Sequence, residues 1–167
     1  MKITIDTLKR SIAHEWGHYL AFHLMGYGKW NEGFEIEMNI CGLYGHTRNF
    51  ATLFKLIPDS DLLVDLYSGP IAEGLYCGHP QRIEYTDAQE IQRIAPSRPE
   101  RDKARKRALE LLTPFSGVIT ELVNQTLERD AYSGEIDFTD FYDRIHKDEA
   151  LQYLNTALIK NGKCNYE

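Results

Sequence analysis

At 167 residues with 43% hydrophobic content, the chain has apolar material for one core, so a single domain over 1–167 is expected. It divides into a half that carries the chemistry (1–95) and a helical C-terminal half (96–167). A net charge of −6 excludes the basic surface that phosphate backbones need, and no nucleic-acid partner is expected.

The same sequence has no apolar run of membrane-spanning length and no signal-peptide core in its first residues, which predicts no membrane insertion and a cytoplasmic location. The first predicted element is a helix over 6–26. Asp6 or Thr7 is placed to cap it, Leu8, Ile12, Leu20, Phe22 and Leu24 supply its apolar residues, and Gly26 is a natural stop. Inside it stands His14-Glu15-Trp16-Gly17-His18, a His-Glu-x-x-His pattern. Four residues advance a helix by about 400° and about 6 Å, so both imidazoles share one face and can grip a single ion. Glu15 flanks that face, within reach of a water on the metal but not needed as a ligand.

A catalytic zinc site normally takes three protein ligands and keeps one position for water, so a third ligand must come from elsewhere. His23 fails because nine residues from His14 turn it about 900°, onto the opposite face. Position 24, where a metzincin has its third histidine, is Leu24.

Strands are expected near 34–40 and 43–49, then a helix over 59–77 from Pro58 and Asp59, bent or re-started at Pro70. It carries Glu73. Thr86-Asp87-Ala88-Gln89 has the form of a capping box opening a helix over 87–95, with Asp87 in the first turn, where the helix dipole favours a carboxylate. Ser97 and Pro99 start a further helix, interrupted at Thr113-Pro114 and resumed to about 129. Asp137 is read as the cap of a final pair of helices near 138–146 and 148–161.

The fold class is therefore mainly α (α+β), with a small β-sheet. Leu109, Leu112, Val118, Ile119, Leu122 and Val123 are expected in the core, while the C-terminal helices remain available for a homo-oligomer or a protein partner. The basic cluster Arg98, Arg101, Lys103, Arg105, Lys106 and Arg107 is interleaved with Glu100, Asp102 and Glu110 and reads as a solvated helix face. Cys41, Cys77 and Cys164 are an odd number at wide spacing, which gives no disulfide framework and suits a reducing compartment.

Four short motifs fall in one order: His14-Glu15-Trp16-Gly17-His18, Gly45-His46-Thr47, Gly69-Pro70-Ile71-Ala72-Glu73 with Gly78, and Asp87 ahead of Ala88 and Ile91. Over about residues 8–95 this order resembles the peptidase domain of FtsH-type ATP-dependent zinc metalloproteases. The resemblance implies a helical zincin-like peptidase domain, with Zn2+ held by His14, His18 and Asp87 and with Glu15 as general base. Glu73 is read as hydrogen-bonding a ligand histidine or, alternatively, as the third ligand itself, in a thermolysin-like set. The chain departs from the family at Trp16, where a small residue is usual, at Pro70, where Arg is usual, and after Ala72, where a single acidic residue follows.

No Gly-x-x-x-x-Gly-Lys-Ser/Thr loop occurs, so the expected activity is ATP-independent hydrolysis of peptide bonds in unfolded or flexible polypeptide segments. The substrate chain is expected to pair with the strand near Leu43 and Tyr44. The rival expectation is a catalytically silent peptidase-fold protein that binds a protein partner. Glu15 speaks against it, because a purely structural site has no use for a general base.

Overall fold

The computed structural model describes residues 2–39, 42–49, 56–83, 85–130, 135–137 and 142–163. Strand β1 (Lys2–Thr4) runs directly into helix α1 (Ile5–Phe22), and the cap is Thr4 rather than Asp6 or Thr7. Thr4 is the last residue with extended backbone, and its hydroxyl accepts the Thr7 N–H at 3.2 Å. Asp6 falls inside the first turn, where its charge opposes the helix dipole's positive end.

From Ile12 to Phe22 every residue of α1 is buried, so this is the central helix of the molecule and not a surface one. A π-helical turn (His23–Tyr27) and a 3-10 turn (Gly28–Trp30) follow, and Gly26 takes the left-handed backbone, φ 87°, expected of a helix stop.

Strands β2 (Asn31–Asn39) and β3 (Gly42–Asn49) pair antiparallel, with Phe34 opposite Thr47 and Ile36 opposite Gly45. The other side of β2 is taken by β5 (Tyr142–His146), with Phe34 opposite Ile145, giving the order β3-β2-β5. Strand β4 (Glu135–Asp137) pairs with β1 in a separate two-stranded sheet. These two strands correct the expectation of a helix near 138–146 capped by Asp137. Asp137 lies in β4 opposite Lys2, and Tyr142-Asp143-Arg144-Ile145-His146 is extended. A five-residue stretch with one buried aliphatic, Ile145, has no period long enough to choose its own state; the open edge of β2 chooses it. Residues 138–141 lie outside the described residues.

Helix α2 (Asp59–Cys77) passes through Pro70 without re-starting, although the proline removes one backbone donor. Gly78, φ 77°, closes it. Helix α3 (Tyr85–Ile94) opens two residues earlier than expected, so Thr86 lies within its first turn, where it cannot be the cap; Asp87 is in that turn as anticipated. Helix α4 (Arg98–Leu112) starts after Ser97, a 3-10 turn (Thr113–Phe115) carries the expected Pro114 break, and α5 (Ser116–Asp130) and α6 (Lys147–Lys160) are the remaining α-helices among the described residues.

The fold is mainly α with a small antiparallel β component. Among the described residues no helix is long and apolar enough to cross a membrane.

The two halves of the sequence share one core. Leu8, Ile12 and Trp16 of α1 pack with Phe34 and Ile36 of β2, Ile145 of β5, Ile119 and Leu122 of α5 and Leu154 of α6. Trp16 points into that core: its indole N–H donates to Thr126 Oγ1 at 3.0 Å and its ring meets Phe34 edge-on. Of the expected core residues, Leu112, Val118, Ile119, Leu122 and Val123 are buried, whereas Leu109 is 48% exposed. Ala108 and Leu112 take the inward phase of α4, one residue and three residues away from it.

Candidate metal centre

His14 and His18 lie one turn apart on α1, with ring centroids 4.9 Å apart. Helix α2 packs against them closely enough that a Cβ added to Gly69 would collide with the Nε2 atoms of both rings. The two Nε2 atoms therefore converge over a position that only glycine can occupy. Asp87, from the first turn of α3, brings its Oδ2 to 3.7 Å from His14 Nε2. One ligand atom from each of His14, His18 and Asp87 lies within 4.8 Å of the others.

Tetrahedral zinc with ligands at 2.0–2.2 Å spaces its donors about 3.4 Å apart, so shifts of a few tenths of an ångström up to about an ångström would bring the three onto one ion. The donor set, two neutral nitrogens and one carboxylate oxygen, suits zinc chemically.

The far side of each ring fixes its orientation. His18 Nδ1 lies 2.9 Å from the backbone oxygen of Asp65 and 3.4 Å from its Oδ1. An acceptor at Nδ1 holds the ring proton there and leaves the Nε2 lone pair for an ion. Burial disfavours the His18 cation, but the charge of Asp65 outweighs it and sets the pKa above the ordinary value.

On His14 the two carboxylates take opposite sides. Asp87 is on the Nε2 side, whereas Glu73 Oε2 lies 3.7 Å from Nδ1. Glu73 thus stands behind a ligand ring and outside the donor group. At 3.7 Å these contacts act through charge and not through hydrogen bonds. Burial alone would raise the pKa of Asp87 and of Glu73; His14 and His18 more than offset it for Asp87, and His14 with Arg10 for Glu73, so both are held below the ordinary carboxylate value.

Glu73 is itself clamped. Arg10, one turn before His14 on α1, donates from Nε to Glu73 Oε1 at 2.6 Å and from Nη2 to Gln81 Oε1 at 2.8 Å. Sequence reasoning missed Asp65, Arg10 and Gln81. The signal for Asp65 was a charged residue inside the apolar run Leu62-Leu63-Val64-Asp65-Leu66, one turn before Gly69; for Arg10 it was the four-residue spacing to His14.

Glu15 is buried at 3% exposure, and a Cβ on Gly45 would overlap its carboxylate, so β3 passes directly beside it. Among the described residues β3 has a strand on one side only. His23 is half-buried, with its pKa lowered by burial, and takes no part in the donor group. His79 is exposed and bonded to Gln81, and the half-buried Cys77 thiol is also outside the group. Cys41 and Cys164 lie outside the described residues.

A cavity of about 570 Å3 adjoins the centre, lined by Arg10, Ser11, His14, Glu73, Gln81 and Arg82 among others. Comparison with protein-family models, with curated proteins and with solved structures found no match.

Proposed function

We propose that this protein is a zinc-dependent endopeptidase, of the kind its motifs resemble in FtsH-type proteases, acting without ATP on unfolded or flexible polypeptide segments. The observation that carries the reading is the convergence of His14 Nε2 and His18 Nε2 over Gly69, with an Asp87 oxygen 3.7 Å from His14 Nε2 and Glu15 buried on the same helix. Two histidines alone would fit a structural role; a third donor from a separate helix and an acid that is no donor fit hydrolysis better.

His14, His18 and Asp87 would hold the zinc, which when bound would supply Lewis acidity and lower the pKa of water at the centre. The chain's own residues do the rest. Glu15 takes the proton of the attacking water and passes it to the leaving amine. Asp65 and Glu73 hold the His18 and His14 rings in orientation, and Arg10 holds Glu73. An extended peptide laid on the outer edge of β3 near Leu43 and Tyr44 runs past Gly45, and so past Glu15, which brings a backbone carbonyl to the base without reading side chains. The odd cysteine number fits work in the cytoplasm.

The test is turnover of a disordered protein and a well-folded one by zinc-loaded wild type and Glu15→Gln, with and without ATP. Wild type is expected to cut only the disordered substrate, ATP or not. Glu15→Gln is expected to keep zinc and fold while losing cleavage by several orders of magnitude. Full biological effect retained by Glu15→Gln would instead favour the partner-binding role.

A further inference from the structure

The cavity beside His14 has a charge character that peptide-bond hydrolysis by itself does not require. Its walls carry two guanidinium groups, Arg10 and Arg82, against one carboxylate, Glu73, on a chain whose net charge is −6. Glu73 is already bound: Arg10 Nε and Nη2 both lie 2.6 Å from its Oε1. Gln81, which accepts from Arg10 Nη2, is held in turn by His79, whose Nδ1 lies 2.8 Å from Gln81 Nε2.

Arg10 is therefore fixed at both ends, and its Nη1 donors make no hydrogen bond among the described residues. Arg82 is exposed and likewise has no ion-pair or hydrogen-bond partner among them. A guanidinium held in place with donors to spare, next to a second one, is pre-organised for a planar oxyanion, and the ordering cost of binding falls accordingly. The hydroxyls of Thr7 and Ser11 line the same cavity and add donors.

We propose that this cavity is a carboxylate subsite, which selects substrates that carry an Asp or Glu side chain, or a free C-terminal carboxylate, at a fixed distance along the chain from the bond to be cut. The inference rests on the peptidase reading above and deepens it by naming a substrate class.

The test uses otherwise identical flexible peptides carrying one Glu, Gln or Lys walked through the sequence, each with a free or an amidated C terminus. With zinc-loaded protein, kcat/KM for Glu is expected to exceed that for Lys by at least about tenfold at one position relative to the cut. If the carboxylate read is the chain terminus, the preference appears instead as free over amidated ends, with the cut at a fixed distance from the end. Arg82→Glu, a change on the surface checked for fold by circular dichroism, reverses the Glu-to-Lys ratio. Raising the salt to about 1 M shrinks that ratio, because the site is open to solvent.

Peptides cut readily but equally overturn the subsite and leave the peptidase standing. If no peptide is cut, the peptidase reading fails, and the subsite is decided by fluorescence anisotropy of the same labelled peptides on zinc-loaded Glu15→Gln. A Glu-to-Lys affinity ratio under about threefold there overturns it too.

Discussion

Replacing Gly69 by alanine tests the centre with a single methyl group. In the middle of an exposed helix this change stabilises by about 1 kcal/mol, because alanine loses less backbone freedom than glycine. Here the new Cβ collides with Nε2 of both His14 and His18, and it lies 2.7 Å from His14 Cδ2. Overpacking of that kind costs about 1–3 kcal/mol, so the net effect on the metal-free protein is a loss of up to about 2 kcal/mol. For a chain of this size that lowers Tm by up to about 8 °C.

The metal suffers more than the fold. Relief requires at least one imidazole to swing away, and the donor set then falls from three to two. Zinc affinity should drop at least about 100-fold, beyond what loss of an outer partner produces. Gly74 of the same helix is the control, because a Cβ there meets nothing nearer than His79 O at 3.2 Å. The assay is competition with a chromogenic chelator, run beside thermal melts in EDTA. Zinc bound by Gly69→Ala as tightly as by wild type would refute the convergence of the two Nε2 atoms on an ion.

Asp87→Asn should weaken zinc and abolish cleavage, while Glu73→Gln should lower activity by about 10 to 100-fold with less metal loss, and the reverse ranking in metal analysis and kinetics would make Glu73 the ligand. Zinc at about 100 times its Kd should stabilise the native protein by about 2.7 kcal/mol, or roughly 5–11 °C in Tm, and His14→Ala or His18→Ala should erase that shift in a melt with and without EDTA. In the metal-free protein, Asp87 and Glu73 have pKa values below their ordinary 3.8 and 4.5, so their contribution is full above about pH 4.5 and is lost as pH falls through the lowered values. His18, raised above 6.5, contributes in the other direction: its share is full below that value and fades as pH rises through the folded pKa. Urea midpoints in EDTA from pH 3 to 9 should pass through a maximum between those limits, and a flat profile would count against these pairings.

Much of this site is legible in the sequence because the rules that place it are local. Helical periodicity puts His14 and His18 on one face whatever surrounds them, and the same arithmetic turns His23 away. Asp87 belongs to the first turn of its helix because an acid there suits the dipole, even though the helix begins at Tyr85 and Thr86 is no cap. The strands expected near 34–40 and 43–49 are found as Asn31–Asn39 and Gly42–Asn49, whereas their antiparallel pairing belongs to the tertiary structure.

What no local rule contains is which side of His14 each carboxylate takes. Glu73 and Asp87 stand 59 and 73 residues after His14, and only the packing of α2 against α1 and of α3 against α2 sends one to Nδ1 and the other to Nε2. Asp65 and Arg10 are of the same kind: each is an ordinary charged residue until a neighbouring helix brings it to a histidine or to Glu73. Tyr142–His146 shows the limit from the other direction, since five residues carry too little periodicity to specify a helix or a strand, and the unpaired donors and acceptors along β2 decided for the strand.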